Sequence, residues 1–157
     1  MMKRWVAFVV VGDAVTVVDT EVPDNPDEPL TIILDDTWKL QKGDRGSAYA
    51  VLHQRCTDYL RESRIDTVVV KASALSQGGT KLGLLSSAEV RGVVIAAASA
   101  VCSVKVITKA LISRTYGERK VDEYVQDDDF WQKKLQGAAL RKASREAAML
   151  LVATRDK

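Results

Sequence analysis

The sequence predicts an α/β domain: a mixed five-stranded sheet of three strands starting with an antiparallel hairpin, then β-α-β units, with helices on both faces. Three observations predict it. Two β-rich runs, residues 5–11 (WVAFVVV) and 14–22, are separated only by Gly12-Asp13, a tight-hairpin signature. The run TVVVK at 67–71 lacks polar alternation, as expected of a central strand covered on both faces. From there on, segments of helical period alternate with short β-branched runs, which is the signature of β-α-β units. A chain of 157 residues fits one domain, residues 1–157, with one substantial core.

Each element has a local cause. Residues 23–29 (PDNPDEP) hold all three prolines and form an acidic loop, because proline removes a donor and fixes φ. LTIIL at 30–34 is a third strand ending at Asp35-Asp36. Ser47 caps a helix to about residue 63, with Ala48, Val51, Leu52, Cys56, Tyr59 and Leu60 as its buried stripe. The fourth strand is 66–71. Ser86 and Glu89 fit a capping box that opens a helix from 87 to about 100, burying Val90, Val93, Val94, Ala97 and Val101. Residues 103–107 form the fifth strand. Thr108 caps a helix at 109–116 that Gly117 stops, and 118–125 is a further helical piece. Asp127-Asp128-Asp129 is an acidic break, and a last helix runs from about 132 or 138 to 154.

Composition excludes some classes. A net charge of +2 gives no strong field towards polyanions or anionic membranes. The apolar run at 5–11 is far too short to span a bilayer, so no membrane partner is expected. The basic start before it resembles a signal peptide, but Gly12-Asp13 follows at once without a small-x-small cleavage pattern, which favours a first strand. Cys56 and Cys102 fall on apolar helix faces, as in a reduced, cytoplasmic protein. Neither has a nearby base, His53 stands alone, and no serine sits in a nucleophile elbow.

The chemistry-bearing candidates are cations. Lys71 ends the fourth strand, and the carboxyl ends of strands are where open α/β sheets bind ligands. The glycine-rich stretch 76–83 (SQGGTKLG) lacks P-loop spacing but places Lys81 on the same rim as Lys71. Lys134, Arg141 and Arg145 are expected to share a helix face, with Phe130 and Trp131 near its start. That face is either a nucleic-acid surface or a solvated amphipathic face with Trp131 packed on the core.

The stretches IDTVVVKASAL (65–75), TKLGLLSSAEVRGVVIAAAS (80–99), KVITKALISRTYGERKVDEYV (105–125) and KASREAAMLLVA (142–153) resemble, in that order, segments of the RuvC-type Holliday-junction resolvases within the ribonuclease H-like superfamily. The resemblance implies a ribonuclease H-like fold and the metal-dependent hydrolysis of phosphodiesters. Such chemistry uses two Mg²⁺ ions about 4 Å apart, held by converging carboxylates. The matching positions here depart from that pattern. The first-strand acid falls near Val9, the fourth-strand acid is Lys71, and the turn Ala143-Ser144-Arg145-Glu146 supplies one acid where two are expected. The resemblance therefore implies a catalytically degenerate domain that binds nucleic acid or nucleotides within a larger assembly, without cofactor. Lys71, Lys81, Lys134, Arg141 and Arg145 are its binding candidates. Lys71 is expected near Glu146, supplying the positive charge of a metal, or else forming a plain ion pair, a snorkelling strand-end lysine or a base whose pKa desolvation lowers. Two alternatives stay open. One is a protein-interaction or homodimerisation module built on the alanine-rich helix 90–101. The other is a Mg²⁺-dependent nuclease with an atypical set drawn from Glu146, Asp36 and Lys71.

Overall fold

In a computed structural model, which describes residues 2–73, 81–115 and 119–156, one mixed sheet is flanked by helices on both faces. β1 (Lys3–Val11) and β2 (Ala14–Val22) form the expected hairpin, with Val11 opposite Ala14. Gly12 takes φ +58°, which glycine adopts at no steric cost at the first central position of a two-residue turn. β3 (Leu30–Lys39) pairs antiparallel with β2 and runs five residues further than the LTIIL pattern predicts. α1 (Arg45–Glu62) leads into β4 (Thr67–Lys71), which lies parallel to β1. α2 (Lys81–Ser99) then leads to β5 (Ser103–Ile107), parallel to β4. The rest is α3 (Lys109–Thr115), α4 (Val121–Val125), α5 (Asp128–Lys134), β6 (Leu135–Gly137), a 3₁₀ turn (Lys142–Ser144) and α6 (Arg145–Asp156).

The sheet order is β5-β4-β1-β2-β3-β6, six strands among the described residues rather than the predicted five. The added strand is LQG, too short to carry a period, in a segment expected to be helical. It lies parallel to β3, and Gly137 at φ +87° is obligatory there: a Cβ would meet the Ile32 carbonyl oxygen at 2.9 Å. The last helix, expected from about 132 or 138, is corrected: α6 begins only at Arg145, with α5 and β6 as separate elements before it. Asp127, read as part of an acidic break, is instead the N-cap of α5, accepting from the Phe130 N–H at 3.1 Å.

Alternate residues of the central strands feed two cores. Val6, Phe8, Val10, Val68 and Val70 face α1 and α2. Ala7, Val9, Val18 and Val69 face α6, whose residues Ala147 to Ala153 are all buried. This double coverage removes the polar alternation from β1 and β4. Filling such a core is worth about 1.5–3 kcal/mol per large side chain.

Caps shift the predicted boundaries. Asp44, not Ser47, is the N-cap of α1, accepting from the Ser47 N–H at 2.9 Å. α2 begins at Lys81, so Ser86 and Glu89 lie inside it and form no capping box. Ser87 instead accepts from the Gly12 N–H at 2.7 Å, and Glu89 accepts from the Tyr49 hydroxyl at 2.6 Å. Thr108 caps α3 as expected, accepting from the Leu111 N–H at 3.0 Å. Residues 82–99 have mean hydropathy 1.4 and suffice by length and composition alone. Here that helix lays Val90, Val94, Ala97 and Ala98 on the sheet.

Candidate functional site at the carboxyl edge of the sheet

The parallel register sets Phe8 beside Val70, so the next residues, Val9 and Lys71, are neighbours on the α6 side. Glu146, in the first turn of α6, meets Lys71 there: the ammonium forms an ion pair with Glu146 Oε1. Both side chains are largely covered, at 23% and 28% exposure. Oε1 is buried and receives no aligned hydrogen bond, so the contact is one of charge rather than of directed bonding. A lysine thus occupies the strand end, and its partner is the acid expected from sequence.

The residues present do not fit a two-metal centre. Val9 offers no ligand, Lys71 is a cation, and Glu146 is already neutralised. Among the described residues no three His, Cys, Asp or Glu side chains converge. Asp36 does not approach Glu146 either. Leu30 and Ile32 face α6, and unbroken alternation would carry Asp36 to the same side. However, Thr20 pairs with Ile32 while Asp19 pairs with Leu34, leaving Ile33 as an extra, bulged residue. After the bulge, Asp35 faces α6 and Asp36 faces α1, where Arg55 lies 4.0 Å away.

Asp35 consequently takes the inner place. It accepts from the Arg141 backbone N–H at 2.8 Å, from Arg141 Nε at 3.1 Å and Nη2 at 2.9 Å, and from the Ser144 hydroxyl at 2.5 Å. Burial works to raise its carboxyl, but the hydrogen bonds from Arg141 and Ser144 outweigh it and hold the group below its ordinary 3.8.

The predicted basic residues do not form one face. Arg141 precedes the 3₁₀ turn and is bound to Asp35. Arg145 opens α6, pairs with Asp128 at 2.7 Å and donates to the Val125 carbonyl at 3.0 Å. Lys134 ends α5 and pairs with Asp156 at 3.3 Å, at the opposite end of α6 from Glu146. The Lys81 side chain lies outside the described residues. Trp131 is buried, with its indole N–H donating to the Tyr124 carbonyl at 2.8 Å, so it is not a stacking platform. The cysteines are free, and burial pushes the Cys56 thiol up to about 12, which removes it as a nucleophile.

One functional candidate escaped the sequence. A cleft of about 460 Å³ opens at the ends of β1 and β4 beneath the first half of α2, lined by Val10, Lys71, Ser73, Leu85 and Arg91 among others. Arg91 is only 8% exposed. Its Nη1 donates to the Ser73 hydroxyl at 2.5 Å and Nη2 to the Val10 carbonyl at 3.1 Å, while Nε is buried without an acceptor. The signal available was a lone arginine beside glycine in an otherwise apolar helical stretch, VRGVV at 90–94.

The sheet order, the opening hairpin and the helices on both faces define a RuvC-like, ribonuclease H-like fold. The chain superposes on Thermus thermophilus RuvC in complex with a Holliday junction substrate with a TM-score of 0.69 and 12% identity, over 96% of this chain and 91% of that one. It superposes on the yeast mitochondrial Holliday junction resolvase with a TM-score of 0.64 and 10% identity, over 98% and 79%. At such identities the likeness establishes the fold alone. No protein-family model matches the sequence, and no curated protein matches it.

Proposed function

We propose that this chain is a catalytically degenerate RuvC-like domain that binds nucleic acid without cutting it. The carrying observation is the Lys71–Glu146 ion pair at the strand end. A fixed ammonium paired with the one carboxylate leaves no free acid to hold a divalent ion, which removes the cutting chemistry while leaving the fold. Three features support the reading: the fold, which it shares with a resolvase solved on a Holliday junction; Val9 in place of an acid; and Asp36 turned away by the bulge. The test is retention of single-stranded and branched DNA in a gel shift, repeated over a salt series with and without Mg²⁺. Retention at low salt that weakens only gradually as salt is raised, with no cleavage, is the expected result. Failure to bind any nucleic acid at low salt, or cleavage lost in Glu146→Gln, would refute it.

A second reading, self-association through the outer face of α2, has its own observation. Leu82 and Leu85 are 76% and 60% exposed, and an apolar groove lined by Tyr49, His53, Gly92, Val93 and Ala96 runs between α1 and α2. Val94 and Ala98 are fully buried on the sheet and serve the core. Ala96→Glu is the informative variant: a dimer in light scattering that this change splits would support self-association, and a monomer at all concentrations would exclude it.

A further inference from the structure

Arg91 is buried without a carboxylate partner among the described residues. The connecting residues 74–80 (ALSQGGT) contain no acid by sequence. A guanidinium stays charged even when buried, so desolvation without a counter-ion is a standing cost. Burial pushes its proton affinity down. Of its five N–H donors, one meets a backbone carbonyl and one a serine hydroxyl at the exposed end of β4. That hydroxyl is a neutral placeholder where an oxyanion would bind more strongly.

The surroundings restrict the anion. Lys71 lies on the same cleft, while Val11, Leu84, Leu85 and Ala88 make its walls apolar. A volume of about 460 Å³ lies within the range of about 300–1,000 Å³ usual for small-ligand sites. Free phosphate would leave those walls wet. A phosphate carrying a flat, partly apolar group would use both the cation and the walls. We infer that this cleft is a subsite for one nucleotide of a single strand, with its phosphate on Arg91 and its base against Val11, Leu84 and Leu85. The inference rests on the nucleic-acid reading and adds to it the place, the arginine and the single-stranded form of the ligand.

The test titrates the full chain with thymidine 5′-monophosphate, thymidine and inorganic phosphate by calorimetry, alongside a single-stranded oligonucleotide. Wild type is expected to bind the monophosphate at least tenfold more tightly than either fragment, the worth of a charge-assisted hydrogen bond. Arg91→Met is expected to lose that margin. Because Arg91 is buried and Arg91→Met is at risk of unfolding, Ser73→Asp is the second variant: it sets a carboxylate opposite the guanidinium at an exposed position. It is expected to melt higher than wild type and to lose the monophosphate. Equal affinity for monophosphate and thymidine, or Ser73→Asp binding like wild type, overturns the subsite. Undiminished oligonucleotide binding by Ser73→Asp overturns it as well, and leaves the nucleic-acid reading standing. Arg91-dependent monophosphate binding with no oligonucleotide binding overturns the nucleic-acid reading and reassigns the cleft to free nucleotides.

Discussion

Replacing Lys71 by methionine removes the ammonium while keeping most of the side chain's volume, and leaves the Glu146 carboxylate with a buried, unbonded Oε1. Opposite unit charges about 4 Å apart at an effective dielectric of about 20 attract by about 4 kcal/mol. Desolvation of both groups offsets a large part of that. Breaking a fully buried pair costs about 3–5 kcal/mol, and an exposed one is worth about 0–1. With exposures of 23% and 28%, this pair sits nearer the buried end. Lys71→Met is therefore expected to cost about 2 kcal/mol, which for a domain of this size lowers the melting temperature by about 4–8 °C. Glu146→Gln costs less, because the longer lysine snorkels to solvent. The double variant is expected to recover most of the loss, giving a coupling energy above about 1 kcal/mol in the double-mutant cycle. Thermal unfolding followed by circular dichroism measures all four proteins. A Lys71→Met protein melting within about 1 °C of wild type, with no coupling, would mean that the two charges ignore each other. The ammonium would then have no structural claim on the strand end.

Asp19 is fully buried, 2.6 Å from Arg4 Nη2 and 2.5 Å from the Tyr59 hydroxyl, so Asp19→Asn is expected to cost about 3 kcal/mol in urea unfolding. A loss under about 1 kcal/mol would place the network among ornamental surface pairs. The Asp35 carboxyl is lowered by folding, so its stabilisation is complete above 3.8 and fades as pH falls through the folded value. Wild type is accordingly expected to exceed Asp35→Asn in stability at neutral pH, with the gap narrowing on acidification; a gap independent of pH would contradict the assigned hydrogen bonds. Gly137→Ala is expected to cost about 1–3 kcal/mol by driving a Cβ against the Ile32 carbonyl at a positive φ, and faster amide exchange along β6 would locate the damage.

What the sequence displays and what it hides divide along physical lines. β1, β2, β4, β5, α1 and most of α2 are legible because hydrophobic period reports burial directly, and Gly12-Asp13 leaves only a tight turn between the first two. β6 is hidden because three residues have no period, and its place depends on how closely Gly137 approaches Ile32. The bulge at Ile33 is hidden too: LTIILDD alternates equally well with either acid inward, and only the pairing with β2 decides. That one inserted residue exchanges the roles of Asp35 and Asp36. Lys71 was conspicuous because charge is rare at the end of a buried strand. Arg91 was not, because an arginine on an amphipathic helix reads as surface until packing buries it.

The placement of the cations bears on how any polyanion would bind. Lys71, Lys134, Arg141 and Arg145, four residues that a basic-rim reading relies on, each lie against a carboxylate: Glu146, Asp156, Asp35 and Asp128. A phosphate that recruits such a cation must break an existing pair and strand its acid, so the exchange yields little free energy and releases few counterions. Arg91 faces no such exchange. Binding of a single strand through Arg91 is therefore expected to show a shallow salt dependence, with a log–log slope of about −0.7 for each phosphate neutralised. Removing Arg91 should flatten that slope by about one contact, while removing Arg141 should leave it nearly unchanged and cost stability through Asp35 instead. A steep slope that survives Arg91→Met would point to the paired rim after all, with its carboxylates giving way to the ligand.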